Sequence, residues 1–354
     1  MKTELTVTTS SATYSILFDK GFFSENRDEL CRLIKDKQIA IITDENVAKE
    51  YLEKISEILL ELKVIKIVFP AGEQSKSLYN FEQIITILAK ENFRKNAVML
   101  ALGGGMVGDL SGFSAACYQR GIDYIQIPTS LLAQVDASIG GKTAINHDLA
   151  KNLIGAFYQP KAVFVNIGTL TTLPEREYKA GLAEVIKYGL IADKKFLQWL
   201  IDNCDKILQR DTDSLMQVVK RCCEIKRDIV AQDERDHGIR QILNFGHTFA
   251  HAIETGLNYQ YLHGEAVAMG IAQASYLSWQ QGNIAKQEFD YICSMLKQFD
   301  LPTVWPSALS KDAAIEIMQR DKKNISDNIT FVLLKAIGQA YITNEINNVP
   351  LYRG

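Results

Sequence analysis

Hydrophobic and polar positions follow two different rhythms along the chain. From residue 3 to about 167, short apolar and β-branched runs are separated by amphipathic segments. TELTVTT (3–9) and TYSILF (13–18) predict an opening hairpin. QIAIIT (38–43), KVIKIVF (63–69), AVMLAL (97–102), YIQIP (124–128) and AVFVN (162–166) predict buried strands. Segments between them, such as 45–62 and 78–92, repeat apolar residues at helical spacing. Strands alternating with helices imply crossover connections and a mostly parallel sheet. From Pro174 onward the strand signal nearly vanishes. EREYKAGLAEVIKYGLI, DSLMQVVKRCCEIKRDIV, HTFAHAIETG and GEAVAMGIAQASYLSW all predict helices, and NITFVLLKAIGQAYIT (328–343) is the one candidate for a late hairpin. The change of texture falls at GTLTTLP (168–174). It predicts an α/β domain over 1–173 and a mainly helical, otherwise all-α domain over 174–354, packed with a cleft between them.

Composition narrows the classes. The 354 residues are 47% hydrophobic and 23% charged, enough to bury a sizeable core. A net charge of −3 with no basic run argues against a nucleic acid or a membrane surface as partner. No apolar stretch is long enough to span a bilayer, and MKTELTVTTS lacks an apolar signal core. The six cysteines (Cys31, Cys117, Cys204, Cys222, Cys223, Cys293) contain no C-x-x-C pair and read as reduced thiols of a cytoplasmic protein.

The strand AVMLAL ends in Gly103-Gly104-Gly105, with a helix predicted to start near Asp109. Such glycines let a backbone approach phosphate, and a helix N-terminus offers it free N–H groups. Gly103, Gly105 and Gly108 satisfy G-x-G-x-x-G, a weak match that also suits a tight structural turn. Strand–helix units precede the loop, and Asp123 starts a strand where a ribose-binding carboxylate would end one. Asp44, closing a buried strand in ITDEN, suits ribose better. PAGEQSKS (70–77) and PTSLLAQVDASIGGKTAIN (128–146) also follow strands; each alone also suits a solvated loop, but three polar glycine-containing loops at one sheet edge fit one nucleotide site.

Three of the five histidines lie within 17 residues. His247 and His251 form an i, i+4 pair, and His263 precedes another helix. Glu184 is a carboxylate on a largely apolar helix, one turn from Lys187, and is costly there unless paired or metal-bound. Spacing alone leaves two readings: a metal site, or satisfied core or interface histidines. His147 and His237 read as ordinary polar positions. Lys142, Lys151, Lys226, Arg240 and Lys322 sit in short polar motifs; each alone reads as a solvated side chain, while a site for phosphate and carboxylate would require several of them.

Taken together, PAGEQSKS, LGGGMVGDLSGFSAACYQRGI, QIPTSLLAQVDASIGGKTAIN, KNLIGAFYQP, AGLAEVIKYG, LNFGHTFAHAIE and HGEAVAMG closely resemble the 3-dehydroquinate synthases, a family of sugar phosphate cyclases, from about Asp44 to Asn324. The resemblance implies a fold similar to the iron-dependent alcohol and glycerol dehydrogenases, with an α/β NAD-binding domain and a helical metal-binding domain. It implies conversion of 3-deoxy-D-arabino-heptulosonate 7-phosphate to 3-dehydroquinate and phosphate in the shikimate pathway, through oxidation at C5, phosphate elimination, re-reduction, ring opening and aldol closure. NAD is then a true catalyst, and zinc or cobalt the metal.

Residue by residue, the resemblance implies that Glu184, His247 and His263 hold the metal, while His251 is a proton carrier. Asp44, Asn46, Glu73, Lys76, Gly104, Gly105, Asp109, Thr129, Ser130, Thr169 and Thr172 match NAD contacts, with Gln74, Ser75, Met106, Leu170 and Thr171 beside them. Lys142 and Lys151 lie toward both NAD and substrate. Lys142, Asn152 and Arg120 match the phosphate pocket, with Arg120 supplied by the second subunit of a homodimer. Lys226 and Arg240 match carboxylate binding. Asp136, Lys187, Asn244 and Lys322 match further substrate and catalytic contacts. The substrate phosphate is expected to act as its own base. Three alternatives stand beside this one. A sibling cyclase acting on a sugar such as sedoheptulose 7-phosphate would need no carboxylate partner, and a net NAD-dependent polyol dehydrogenase no phosphate pocket. A non-catalytic nucleotide-binding scaffold would need no metal triad.

Overall fold

A computed structural model describes residues 3–59, 62–320, 329–346 and 349–354. Contacts divide the chain into two units: 1–173 together with 226–235, and 174–225 together with 236–354. The stretch 226–235, which the linear reading assigns to the helical half, therefore belongs with the first unit. It forms the last turns of a long helix and the residues just after it.

The first unit carries a seven-stranded sheet. Its strands are β1 (Thr3–Thr8), β2 (Thr13–Asp19), β3 (Ile39–Asp44), β4 (Val64–Phe69), β5 (Val98–Gly103), β6 (Asp123–Pro128) and β9 (Ala162–Asn166), in the order β1-β2-β9-β6-β5-β3-β4. Only β1–β2 is antiparallel; every other neighbouring pair runs parallel. The helices are α1 (Arg27–Ile34), α2 (Glu45–Val47), α3 (Glu53–Ile58), α4 (Leu78–Lys90) and α5 (Gly105–Cys117). Strand alternation explains the continuous apolar runs. Ile39, Ile41, Val98, Leu100 and Leu102 join one core with Leu30 and Ile55. Ala40, Ile42, Met99 and Ala101 join the other with Ile84, Leu88 and Leu110. Both faces are covered, so the apolar run of β3 is broken only where Thr43 and Asp44 close the strand.

Two local expectations are corrected. Helix α5 begins at Gly105, four residues before Asp109. The segment from Lys142, read above as part of a polar loop, contains a hairpin: β7 (Lys142–His147) and β8 (Ala150–Phe157), antiparallel and separate from the main sheet.

The second unit holds α6 (Glu175–Ala192), α7 (Lys194–Asp202), α8 (Cys204–Leu208), the first part of α9 (Thr212–Gln232), α10 (His247–Gly256), α11 (His263–Gln280), α12 (Lys286–Gln298) and α13 (Lys311–Gln319). The late hairpin is present as β10 (Phe331–Ala336) and β11 (Gln339–Thr343), so this unit is mainly helical and not purely so. Helix α11 is its spine. Gly264, Ala266, Ala268, Gly270, Ala272 and Ala274 are buried along it, and it packs against both α6 and α10. None of the helices among the described residues is long and apolar enough to cross a membrane.

Candidate active-site residues

In the first unit, the chain passes from β3 outward to β4 and then returns to the other side of β3 as β5. The carboxyl ends of β3 and β5 therefore flank a topological switch point, where open parallel sheets bind ligands. Asp44 closes β3, and its Oδ1 accepts from the N–H groups of Asn46 (2.9 Å) and Val47 (3.1 Å). Gly104 precedes α5, with Gly105 and Met106 as its first residues, so the positive end of a 13-residue helix opens at that edge. Gly103, Gly104 and Gly105 have ordinary φ. Glycines along the helix permit close packing: a Cβ on Gly112 would lie 2.4 Å from Thr143 Cγ2, and one on Gly108 would displace the amide end of Gln126, 2.7 Å away.

The other strand-end loops are tied together. Lys76 is buried, with its ammonium 2.9 Å from Asp109 and 3.1 Å from Glu73. Burial disfavours that charge, but the two carboxylates outweigh it and raise the pKa. Gln74 donates to Ala71 O at 3.0 Å, and Ser75 to Pro70 O at 2.6 Å. The Thr129 N–H donates to Gly103 O at 3.0 Å, and Ser130 Oγ accepts from Ala133 N at 3.3 Å. Thr169 Oγ1 accepts from Gln134 Nε2 at 3.0 Å, Leu170 is buried, Thr171 donates to Gly168 O, and Thr172 Oγ1 lies 2.6 Å from Tyr51 OH. Gln134 was missed at the sequence level. Fully buried, it also donates to the carbonyls of Pro128 and Asn166 and so joins the ends of β6 and β9. A lone amide inside the apolar LLAQV was its only signal.

Lys142 opens β7, exposed; Lys151 and Asn152 lie on β8. Asn152 has φ 51° and donates its N–H to Asn146 Oδ1 at 2.9 Å, while Asn146 Nδ2 donates to Glu73 Oε1 at 2.8 Å. Asn146, also missed, thus ties the loop that carries Glu73 to the hairpin. Arg120 is exposed just beyond α5, and both it and Gln119 adopt left-handed φ (61° and 52°) before Gly121. Lys226 is buried, with Nζ 2.9 Å from Asp136 Oδ1 and 2.6 Å from the Asp136 carbonyl.

In the second unit, Glu184 comes from α6 and is 1% exposed, while His247 and His263 are the first residues of α10 and α11. Both histidines place Nε2 3.3 Å from Glu184 Oε1. One ligand atom from each of the three lies within 4.8 Å of the others, and no other such group occurs among the described residues. Local chemistry fixes each start. Gly246, at φ 81°, turns the chain into α10. Glu265 accepts from the Leu262 N–H at 2.9 Å and pairs with Arg176, fixing the start of α11. His247 Nδ1 lies 3.2 Å from Phe245 O, and His263 Nδ1 lies 3.4 Å from Glu254 Oε2.

Burial would raise the Glu184 pKa, but Lys187 and the two histidines hold it well below the usual carboxylate range. Burial likewise opposes a charged His263, yet Glu184 and Glu254 push its pKa up to about 10. The Lys187 ammonium contacts Glu184 Oε2 as an ion pair, but that oxygen accepts no aligned hydrogen bond. An ionised carboxylate and two imidazoles leaving a fourth position open are a donor set that fits zinc or cobalt. His251 is one turn along α10, its ring centroid 5.9 Å from that of His247, and lies outside the triangle. Arg240 is buried and Asn244 half-buried in one short 3₁₀ turn. Lys322 lies outside the described residues.

Comparison with known proteins gives these features a setting. Residues 66–180 match the family model described as 3-dehydroquinate synthase N-terminal, and residues 181–324 match 3-dehydroquinate synthase C-terminal. The 3-dehydroquinate synthase of Colwellia psychrerythraea is 47% identical over 339 residues, 96% of each chain. That of Shewanella sp. is 44% identical, over 98% of this chain and 97% of its own. Among solved structures, a 2-deoxy-scyllo-inosose synthase complexed with carbaglucose-6-phosphate, NAD+ and Co2+ superposes with a TM-score of 0.88 at 23% identity, covering 99% of this chain and 97% of its own. A 2-epi-5-epi-valiolone synthase from Streptomyces hygroscopicus, with NAD+ and Zn2+ bound, also gives 0.88, at 24% identity over 96% and 95%. The fold is theirs; by its sequence, the chain is an enzyme that belongs to the 3-dehydroquinate synthase family.

Proposed function

We propose that the chain converts 3-deoxy-D-arabino-heptulosonate 7-phosphate to 3-dehydroquinate and phosphate, as a carbon–oxygen lyase with catalytic NAD and one zinc or cobalt ion. The observation that carries the reading is the triangle of buried Glu184 with the partly exposed His247 and His263, in a chain of this family. When bound, the metal supplies Lewis acidity to the substrate hydroxyls and NAD supplies a hydride acceptor that gives the hydride back, so the reaction has no net redox change.

The chain's own residues divide the remaining work. Asp44 and Asn46 take the ribose of NAD, and the Gly104–Met106 turn directs the N-terminus of α5 at its pyrophosphate. Glu73, Gln74, Ser75, Lys76 and Asp109 shape one wall, and Thr129, Ser130 and Thr169–Thr172 the other. Lys142 and Asn152 take the substrate phosphate, Arg120 of a second subunit completes that pocket, and Lys151 lies toward both NAD and substrate. Lys226 and Arg240 take the carboxylate; the arginine supplies a planar two-point fork. Lys187, Asp136, Asn244 and Lys322 orient the ring, and His251 moves a proton beside the hydroxyl to be oxidised. The departing phosphate accepts the proton lost in the elimination. We also place the chain in the cytoplasm as a homodimer, a setting that suits six cysteines without a disulfide.

The test is phosphate release from the seven-carbon acid with substoichiometric NAD and no accumulation of NADH. Net NADH would identify a polyol dehydrogenase. Turnover of sedoheptulose 7-phosphate in place of the acid would identify a sibling cyclase.

A further inference from the structure

We infer that Glu254 is a positioning residue for the metal centre: its carboxylate holds the Nδ1 side of His263 so that Nε2 faces Glu184. The inference rests on the metal reading above and goes beyond the three ligands. An imidazole ligates through one nitrogen, and a partner at the other fixes ring orientation and tautomer. In this unit the two histidines have partners of different kinds. His247 Nδ1 is beside a backbone carbonyl, Phe245 O at 3.2 Å, which comes with the turn into α10. His263 Nδ1 is beside a side chain, Glu254 Oε2 at 3.4 Å. His263 stands at the first position of α11, half-exposed, where its ring needs a lateral support to keep one orientation.

Glu254 is 5% exposed on α10, with Ala250, Ala252 and Ile253 buried around it. A carboxylate there is costly unless it is partnered. It lies seven residues, two helical turns, beyond His247 and so on the same side of the helix. One helix therefore delivers a ligand from its first residue and the support for a second ligand from its last turn. Together Glu184 and Glu254 bracket His263, one on each ring nitrogen. A proton on Nδ1 directed at Glu254 leaves the Nε2 lone pair for the metal.

The experiment compares wild type, Glu254→Gln and Glu254→Asp by competition of zinc against a chromogenic chelator. The melting temperature of metal-stripped protein, NAD affinity and the visible spectrum of the cobalt-loaded protein accompany it. Glu254→Gln keeps the volume and loses the charge, and is expected to weaken zinc about 10- to 100-fold with NAD affinity unchanged. Its cobalt bands should shift, because the His263 ring is reoriented. Glu254→Asp keeps the charge and is expected to recover part of the affinity; should Glu254→Gln fail to fold, the aspartate variant alone decides, by a zinc loss with a normal apo melting temperature. Zinc affinity within twofold of wild type in folded variants would overturn the inference. Failure of wild type to bind zinc would instead overturn the metal reading itself.

Discussion

Gly264 directly follows a proposed metal ligand, and adding one methyl group there tests how the triangle is built. A Cβ at this position would lie 1.8 Å from the carbonyl oxygen of Ala180 and 2.4 Å from its carbon. Ala180 is on α6, one turn before Glu184. Carbon and oxygen approach comfortably only to about 3.3 Å, so in Gly264→Ala the two helices must separate by roughly 1.5 Å at the point where they hold opposite corners of the site. Neither atom is a side chain that could rotate aside. Metal–ligand distances tolerate about 0.2 Å, and the required shift exceeds that several-fold. Overpacking costs about 1–3 kcal/mol, partly offset by the roughly 0.5–1 kcal/mol that alanine gains over glycine in a helix. At about 2–4 °C per kcal/mol for a domain of 150–250 residues, the melting temperature should fall by a few degrees. Zinc affinity should fall by at least tenfold. Gly21→Ala is the control, because its Cβ would meet Ser24 at an ordinary 3.4 Å. Chelator competition and calorimetry on both variants decide the matter. Wild-type zinc affinity and an unchanged melting temperature in Gly264→Ala would refute the claim that this backbone contact sets the distance between Glu184 and His263.

Further outcomes follow from the same geometry. His251→Ala should keep zinc at wild-type affinity and lose turnover, whereas His247→Ala should lose the metal; the reverse pattern in the same competition assay would reassign the ligands. Arg240→Ala should weaken the acid substrate by the loss expected of an unpaired buried charge, about 3–5 kcal/mol, with NAD titrating normally. Mixing inactive Arg120→Ala with inactive Glu184→Ala under subunit exchange should restore activity toward half the wild-type value per heterodimer, because one site carries both lesions and the other neither; a mixture that stays inactive would place Arg120 in its own chain's site. Glu234 accepts from the Ser10 and Ser11 hydroxyls, from Ser11 N (3.1 Å) and from Gln159 Nε2 (2.8 Å). Burial would raise its pKa, yet these donors lower it to about 2. Its stabilising contribution is complete above the unfolded value near ~4.3 and disappears as pH falls toward 2. The melting-temperature gap between wild type and Glu234→Gln should therefore be widest near neutrality and close in acid, and a gap constant with pH would contradict a stabilising role for the Glu234 carboxylate.

The parts legible in the sequence are those where a side chain states its own need for burial. Strands β3 and β5 read as unbroken apolar runs because both of their faces are covered, and helix α9 announces itself through its three- and four-residue spacing. The β7–β8 hairpin does not read this way. Half of β8 faces outward, and Lys151, Asn152 and Gly155 interrupt its alternation. Helix α5 hid its first turn because glycines at its start read as a loop, when two further glycines along it are contact points against β6 and β7. Glu254 reads as one more charge on a helix; only the packing around it turns that charge into a buried group with a histidine beside it.

The same asymmetry runs through the proposed metal site. Its candidate ligands are visible in sequence because glutamate and histidine are chemically distinctive, whereas the approach of the helices that carry them depends on groups that are missing. A Cβ on Gly270 would lie 2.1 Å from Gly246 O, the carbonyl immediately before His247, just as one on Gly264 would strike Ala180. Helix α11 therefore touches both neighbours through bare backbone, once on the side of Glu184 and once on the side of His247. A side chain leaves a periodic signature because its polarity must match its surroundings. A glycine that permits helix contact leaves none, since it is recognisable only by what would collide with it. HGEAVAMG thus encodes two kinds of information at once: one histidine that can bind a metal, and two glycines, six residues apart, that let the helices carrying Glu184 and His247 come close to it.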